Sequence, residues 1–503
     1  VALRTLRIDY RLLDDDLRKI PTEGPLVVVA NHPYGGVEGI ILGDAVMRAR
    51  QDVKILGNYL LQRIPELRPW VIPVDPFDNP NARGGNAAAL KEAIRWVEQG
   101  GALVTFPAGE VSHLYPTRRR VTDPEWSTHM AAIVQRSKAT VLPIYFPGRN
   151  GFLFQLMGLL HPRLRTAMLP REFVNKRYKT LELAVGKPLP WRKLKEFGDR
   201  QSLIDYLRVS TYFLEHRFEG GEHRHGGERP DPDHEAVIEP VDREVLAREV
   251  DGLPEECLLV EASPLKVFLA TRERIPNMLR EIGRLREVTF REVGEGTGRS
   301  MDIDGFDDHY RHLFLWNDKR KELAGAYRLG RADEIVRDRG VDGLYTSTLF
   351  QYQPGFAEKL GSAIEFGRSF IVPQYQKKQS CLALIWRGIG EFIVRNPRYH
   401  ILFGPVSISQ DYHAVSRALM VQFLQQHKMH EDLSGLVSPR RPFVAPSLGS
   451  MDAQSIRNAL RDIDDVSVLI SEIEDDGKGV PVLLRHYLKL NAKLISFNLD
   501  EHF

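Results

Sequence analysis

Short apolar runs alternate with longer amphipathic stretches over the first 215 residues. PLVVVA (25–30), WVIPVD (70–75), ALVTFPAGE (102–110) and TVLPIYF (140–146) read as buried strands, some with a turn attached. EGIILGDAVMRAR (38–50) and GGNAAALKEAIRWVEQGG (84–101) carry apolar residues at helical spacing, the second framed by glycines. LELAVGKPL (181–189) adds a last strand. Strands alternating with helices predict an α/β layer built on a largely parallel sheet.

The pattern then stops. HRFEGGEHRHGGERPDPDHE (216–235) is Gly, His, Pro and charge, which predicts a solvated linker. Its histidines lack a regular ligand spacing, so no metal is expected. Periodicity resumes with helices at 243–253, 274–290, 380–396 and 413–429, and with strands at 312–318, 322–330 and 401–408. Mixed strands with helices on both faces predict a second α/β or α+β domain. The expected organisation is therefore a domain over 1–215, a polar linker over 216–245 and a domain over 246–503.

Composition narrows the picture little. A length of 503 residues fits two domains, and 43% hydrophobic with 27% charged residues is ordinary for globular protein. A formal charge of +2 gives no global basic footprint, so no nucleic-acid partner is expected. Two cysteines, Cys257 and Cys381, exclude a disulfide framework and fit a reducing compartment. No run of about 18 uncharged apolar residues predicts a membrane span.

Candidate chemistry in the first half centres on Asn31 and His32, which follow a buried strand and enter a turn with Pro33, Gly35 and Gly36. A histidine at the carboxyl end of such a strand sits where α/β folds expose reactive groups. Glu38, six residues after His32, would orient the imidazole and stabilise its charged form. Such a base would deprotonate a hydroxyl for attack on a thioester; a turn histidine satisfied by backbone is the plain alternative. Phe106, Pro107, Ala108, Gly109 and Glu110 form a second turn after a strand, and Arg118, Arg119 and Arg120 follow it as an anion-binding or merely solvated loop.

These blocks resemble the glycerolipid acyltransferase family over roughly residues 20 to 200. The resemblance implies an O-acyltransferase with His32 and Glu38 catalytic. Asn31, Arg83, Phe106, Pro107, Gly109 and Glu110 would lie on the acceptor or donor. Two positions depart from the family: Val37 stands where an Asp is usual, and Ala108 where a Glu is usual.

In the second half, Arg286, Phe290, Asp307, Asp308, Arg328, Glu365, Arg368 and Ser369 gather carboxylates and arginines in a fixed order. Carboxylates hold or deprotonate an ammonium and arginine clamps a carboxylate, although surface ion pairs would have the same composition. The order and spacing resemble the acyl-homoserine-lactone-synthase-like branch of the GNAT fold, and the ornithine N-acyltransferases in particular. That likeness implies Glu365 as the amine-activating group. It places Arg286, Phe290, Asp307, Asp308, Arg328, Arg368 and Ser369 on acceptor or donor. Tyr310 and Ser347 depart from the ornithine enzymes, which often have Cys and Glu there.

Together the halves are similar to bifunctional ornithine lipid synthases. The expectation is a peripheral enzyme on the cytoplasmic side of the bacterial inner membrane. It would first N-acylate ornithine with a 3-hydroxyacyl chain, then O-acylate the product. The donor would be a thioester on acyl carrier protein or coenzyme A, and no tightly bound cofactor is needed. The apolar stretch 151–170, broken by Pro162, Arg163 and Arg165, would press into a lipid surface or else form a core hairpin. Other amines (glycine, serine, a polyamine) and a non-enzymatic, hemolysin-like membrane binder are the alternatives; the last leaves His32, Glu365 and Arg368 without a purpose.

Overall fold

The computed structural model describes residues 2–13, 16–75, 82–116, 119–218, 234–376, 379–446 and 453–500. Backbone contacts divide the chain into two compact units. One is 1–223 with 418–423 and 447–480; the other is 224–417 with 424–446 and 481–503.

The first unit is built on strands β1 (Asp9–Leu12), β2 (Leu26–Ala30), β3 (Val53–Asn58), β4 (Val71–Val74), β5 (Ala102–Thr105), β8 (Thr140–Tyr145) and β9 (Thr180–Val185), ordered β1-β9-β8-β2-β5-β3-β4. A separate hairpin pairs β6 (His113–Tyr115) with β7 (Arg120–Thr122). All neighbours in the large sheet are parallel except β8 and β9. Strand β2 lies at its centre and all five of its residues are fully buried, as its unbroken apolar run requires. The helix Val37–Met47 leaves the turn after β2, so its N-terminus and the carboxyl end of β2 meet at one spot. The stretch 151–170 becomes the helices Phe152–Leu160, Pro162–Ala167 and the start of Leu169–Val174, with Pro162 opening the second.

This unit also takes the helices Ala453–Ala459 and Ile463–Ile473, which the sequence reading placed in the C-terminal domain. Ala453–Ala459 packs on the helix Arg200–Tyr212, where Asn458 Nδ2 donates to Asp205 Oδ2 at 3.2 Å, and Ile463–Ile473 packs on the segment Phe213–Phe218. Lys187 N donates to Glu472 Oε1 at 2.6 Å.

The second unit carries a six-stranded sheet. Its strands are β10 (Leu258–Ala262), β11 (Leu265–Thr271), β12 (Arg311–Asn317), β13 (Glu322–Arg331), β15 (Ala363–Ile371) and β16 (Ile401–Phe403), in that order across the sheet. Two short strands, β14 (Phe350–Tyr352) and β17 (Val437–Pro439), pair apart from it. All pairs in the six-stranded sheet are antiparallel except β15 with β16. The alternation of side chains splits the faces. Val267 and Leu313 meet Gly388 of the helix Gln379–Arg395, whereas Arg328 faces the group held by Arg286 of the helix Pro276–Arg291. The strand expected over 401–408 ends at Phe403.

Candidate active sites

In the first unit, the turn 31–36 is fixed before any substrate arrives. Asn31 Nδ2 donates to Phe146 O at 2.9 Å, and Phe146 N returns a bond to Asn31 Oδ1 at 2.8 Å. His32 N donates to Asp123 Oδ1 at 3.1 Å, and His32 O accepts from Ser112 N at 2.8 Å. Gly35 is required by packing and backbone alike: its φ is +95°, and a Cβ there would lie 2.5 Å from Leu169 Cδ2.

Glu38 is fully buried and sits in the first turn of its helix. Its Oε1 accepts from Tyr34 N (2.8 Å) and Gly35 N (2.7 Å), and its Oε2 from Gly36 N (3.0 Å). Oε1 also lies 2.9 Å from His32 Nδ1. Burial alone would raise this carboxyl. His32 and the backbone N–H groups outweigh burial and hold it down at about 2. The extra methylene and the one-residue shift place the carboxylate beside the imidazole, while Val37 turns into the core. The His32 side chain keeps 16% of its exposure and stacks on Phe106 with ring centres 4.3 Å apart. A histidine held by a buried carboxylate, with one face still reachable, is equipped to take a proton from a hydroxyl.

The other residues singled out from sequence divide. Phe106 is against His32, and Pro107 and Gly109 shape the adjoining turn, where Gly109 N donates to Phe106 O at 3.0 Å. Glu110 pairs with Arg165 and is over half exposed, so it does not replace a carboxylate at the histidine. Arg83 lies in the helix Ala82–Glu98, its side chain outside the described residues, and Arg118 is outside them too. Sequence reasoning missed Asp123, which accepts from His32 N, Ser112 Oγ and Trp126 Nε1. Its distance along the chain hides it; only its burial marks it.

In the second unit, three arginines and three aspartates interlock. Arg286 and Arg328 lie 3.3 and 3.4 Å from Asp307 Oδ1. Arg328 Nη1 donates to Asp304 Oδ1 at 2.6 Å, and Arg368 Nη1 lies 3.5 Å from Asp302 Oδ2. Burial would raise Asp307, but Arg286 and Arg328 hold it at about 2. Burial pushes His312 beside them down to about 4, which keeps it neutral near pH 7. The Arg328 guanidinium also lies 4.9 Å from the Tyr345 ring centre and 5.2 Å from that of Tyr310. Arg368 stands on a bulge in β15 with φ 49°, opposite a shift of register between Ala326 and Arg328. Ser369 beside it shares the Tyr327 hydroxyl.

Glu365 is fully buried, and four donors fill its oxygens: Thr346 N (2.7 Å), Thr346 Oγ1 (2.5 Å), Tyr345 N (3.1 Å) and the Tyr310 hydroxyl. In this arrangement it anchors the 345–348 turn rather than facing a substrate. Asp308 is exposed, pairs with Arg272 and stands apart from the cluster. Phe290, about one turn after Arg286 on the same helix, packs on the core. Asp302, Asp304 and Tyr345 stand in the motifs of this half, but sequence reasoning assigned them no individual role.

Known proteins match both units. The family described as "Acyltransferase" matches residues 1–221, and "Acetyltransferase (GNAT) domain" matches 285–387. The glycine N(alpha)-acyltransferase of Bacteroides thetaiotaomicron is 33% identical over 276 residues, 52% of this chain and 80% of its own length. The lyso-glycine lipid O-acyltransferase of Phocaeicola vulgatus is 30% identical over 221 residues, 41% of this chain and 74% of its own. The crystal structure of the 1-acyl-sn-glycerophosphate acyltransferase from Thermotoga maritima matches 44% of this chain and 76% of its own at 18% identity and a TM-score of 0.28.

The chain is thus an acyltransferase with an O-acylating and an N-acylating domain. It belongs to the family of these amino-acid-lipid acyltransferases and joins in one polypeptide what they carry as two.

Proposed function

We propose that this chain makes a diacylated amino-acid lipid in two steps. The C-terminal unit N-acylates a small amino acid with a 3-hydroxyacyl chain carried as a thioester on acyl carrier protein. The N-terminal unit then uses His32 as base on the hydroxyl of that product. His32 takes the hydroxyl proton, the alkoxide attacks a second thioester, and the imidazolium protonates the leaving thiolate. Glu38 holds the ring and offsets its charge. Both products stay amphiphilic, which favours capture by a linked second site.

The observation that carries this reading is the pairing in one chain of a His32–Glu38 site with an arginine–aspartate cluster. The relatives of the two units bear names for consecutive acylations. Glycine is the favoured acceptor. The relatives' names support it, and each aspartate of the cluster already faces an arginine, which leaves none for a side-chain ammonium. Ser347, where ornithine enzymes often have Glu, agrees, since its Oγ donates to Asp342 O at 3.3 Å. Ornithine, favoured by the sequence resemblance, is the second reading.

Among the described residues no helix is long and apolar enough to cross a membrane. Yet Phe152, Leu160 and Val174 are 81%, 67% and 52% exposed in the helical segment whose Leu169 and Phe173 pack on the His32 turn, with Arg163 and Arg171 exposed among them. We assign this face to an anionic lipid surface, on the cytoplasmic side where the carrier protein is found.

Lipid mass spectrometry on cells fed labelled glycine or labelled ornithine tests the reading. The wild type should add a diacylated glycine lipid, His32→Ala its monoacyl form, and Arg328→Ala neither. Label from ornithine alone would transfer the acceptor assignment, and no new amino-acid lipid from folded protein would end it.

A further inference from the structure

One carboxylate of the second unit is neither sealed nor matched one-to-one with an arginine. Strands β15 and β16 run parallel from Ala363 opposite Ile401 to Glu365 opposite Phe403, and part beyond that point. Gly404 marks the last close approach, since a Cβ there would lie 2.2 Å from Phe366 O. Past the parting, β15 carries Arg368 on its bulge, and the other segment carries Ser407 and Asp411. Parting parallel strands free backbone groups that the ladder would have paired.

Glu295 comes to this opening from the loop after the helix Pro276–Arg291. Its own N–H is fixed on Phe290 O at 2.8 Å. Ser407 Oγ donates to its Oε2 at 3.1 Å. Arg368 of β15 and Asp411 are the charged groups that act on it, with opposite signs. Its side chain is only partly buried, unlike those of Glu365 and Asp307. Burial leads the effects on Glu295 and raises its carboxyl above the usual range, with Asp411 adding and Ser407 and Arg368 opposing. A carboxylate raised in this way is a stronger base than a free one.

We infer that Glu295 takes the proton from the attacking amine of the acceptor, while Arg368 on the bulge of β15 holds the acceptor's carboxylate. This rests on the reading of the second unit as an amino-acid N-acyltransferase. The acceptor's ammonium passes one proton to a Glu295 oxygen, and the freed lone pair attacks the thioester carbonyl carbon. The C–N bond forms and the C–S bond breaks. The second nitrogen proton ends on the departing sulfur as a thiol, and Glu295 returns its proton to water. Amide, thiol and one proton balance ammonium and thioester. Glu365 is then a positioning residue, holding the 345–348 turn against Arg328.

The test uses the purified full chain with glycine and a 3-hydroxyacyl carrier protein, reading thiol release and amide by mass spectrometry across pH. Glu295→Gln should lower kcat on the order of 100-fold or more. It should change the KM for glycine by less than about threefold and replace the acid limb of the wild-type profile with one set by the amine's own pKa. Raising pH toward the amine's own pKa should recover much of the rate, because glycine then arrives neutral. Ser407→Ala removes a donor to the carboxylate, so it should move the acid limb to higher pH. Circular dichroism melting reports that each variant has folded, and O-acylation of a supplied monoacyl lipid reports that the first unit is active. A Glu295→Gln enzyme within about threefold of wild type, with its acid limb intact, overturns the assignment, as does an unmoved limb in Ser407→Ala. A wild type that acylates no amino acid while still O-acylating the supplied lipid overturns the N-acyltransferase reading itself.

Discussion

At the residue scale, His32 is useful because its surroundings spend its freedom in advance. Its backbone is clamped by Asp123 and Ser112, and its ring lies between Glu38 and Phe106. Removing Glu38's charge should therefore cost O-acylation and change acid stability together. Glu38 falls from an ordinary 4.5 to about 2 on folding. Its ionised form thus stabilises the fold above about 4.5, and that contribution drains away as pH drops from about 4.5 toward 2. Its size is on the order of 3 kcal/mol, one pKa unit being about 1.4 kcal/mol. Melting curves from pH 6 to 2 should show Glu38→Gln losing less stability over that window than wild type; parallel curves would refute the pairing. His32 was legible in the sequence because a histidine after an unbroken apolar strand is conspicuous. Asp123 was not, because its meaning comes from a partner 91 residues away.

At the element scale, the helices from Phe152 to Val174 join an exposed apolar face to the His32 turn. Gln155, buried on the first helix, accepts from Leu114 N of β6 at 2.9 Å, and Asn150 Nδ2 donates to Tyr34 O at 3.1 Å. Leu169 and Phe173 pack on Gly35 and Gly36. Gln155→Leu keeps the bulk but removes the acceptor, and should lower O-acylation several-fold with N-acylation unchanged in the same preparation. Phe152→Asp combined with Leu160→Asp should abolish sedimentation with anionic vesicles and leave the melting temperature within about 2 °C, since both side chains are mostly exposed. Vesicle binding that survives would move the lipid surface elsewhere. The apolar text of 151–170 was plain in the sequence; which side faced solvent was not, because Phe154 is buried two residues from Phe152.

At the scale of the whole molecule, chain order and unit membership differ. Residues 447–480 follow most of the GNAT-like text yet complete the first unit. Ile456, Leu460, Val466, Leu469, Ile470 and Ile473 are buried there. At roughly 1.5–3 kcal/mol for each large apolar side chain as an upper bound, losing them is comparable to the net stability of most domains. A fragment of residues 1–223 should therefore be unfolded or aggregated, and fusing 447–480 to it should restore cooperative unfolding by circular dichroism. A fragment that melts cooperatively without that segment would show the helices to be dispensable. The two chemistries should still separate by substitution: His32→Ala ought to leave N-acylation rates unchanged.

The sequence by itself determined the local text: the buried strand before His32, the helices, and the order of arginines and carboxylates in the second half. Those are short-range properties, set by periodicity, turn chemistry and residue type. Only the tertiary structure decided which carboxylate serves which partner. It brought Glu38 to His32 despite the altered spacing, sealed Glu365 behind four donors, sent Asp308 to the surface and brought Glu295 to the parting of β15 and β16. The physical reason is that a carboxylate's role depends on its burial and its donors, and residues remote in sequence supply both.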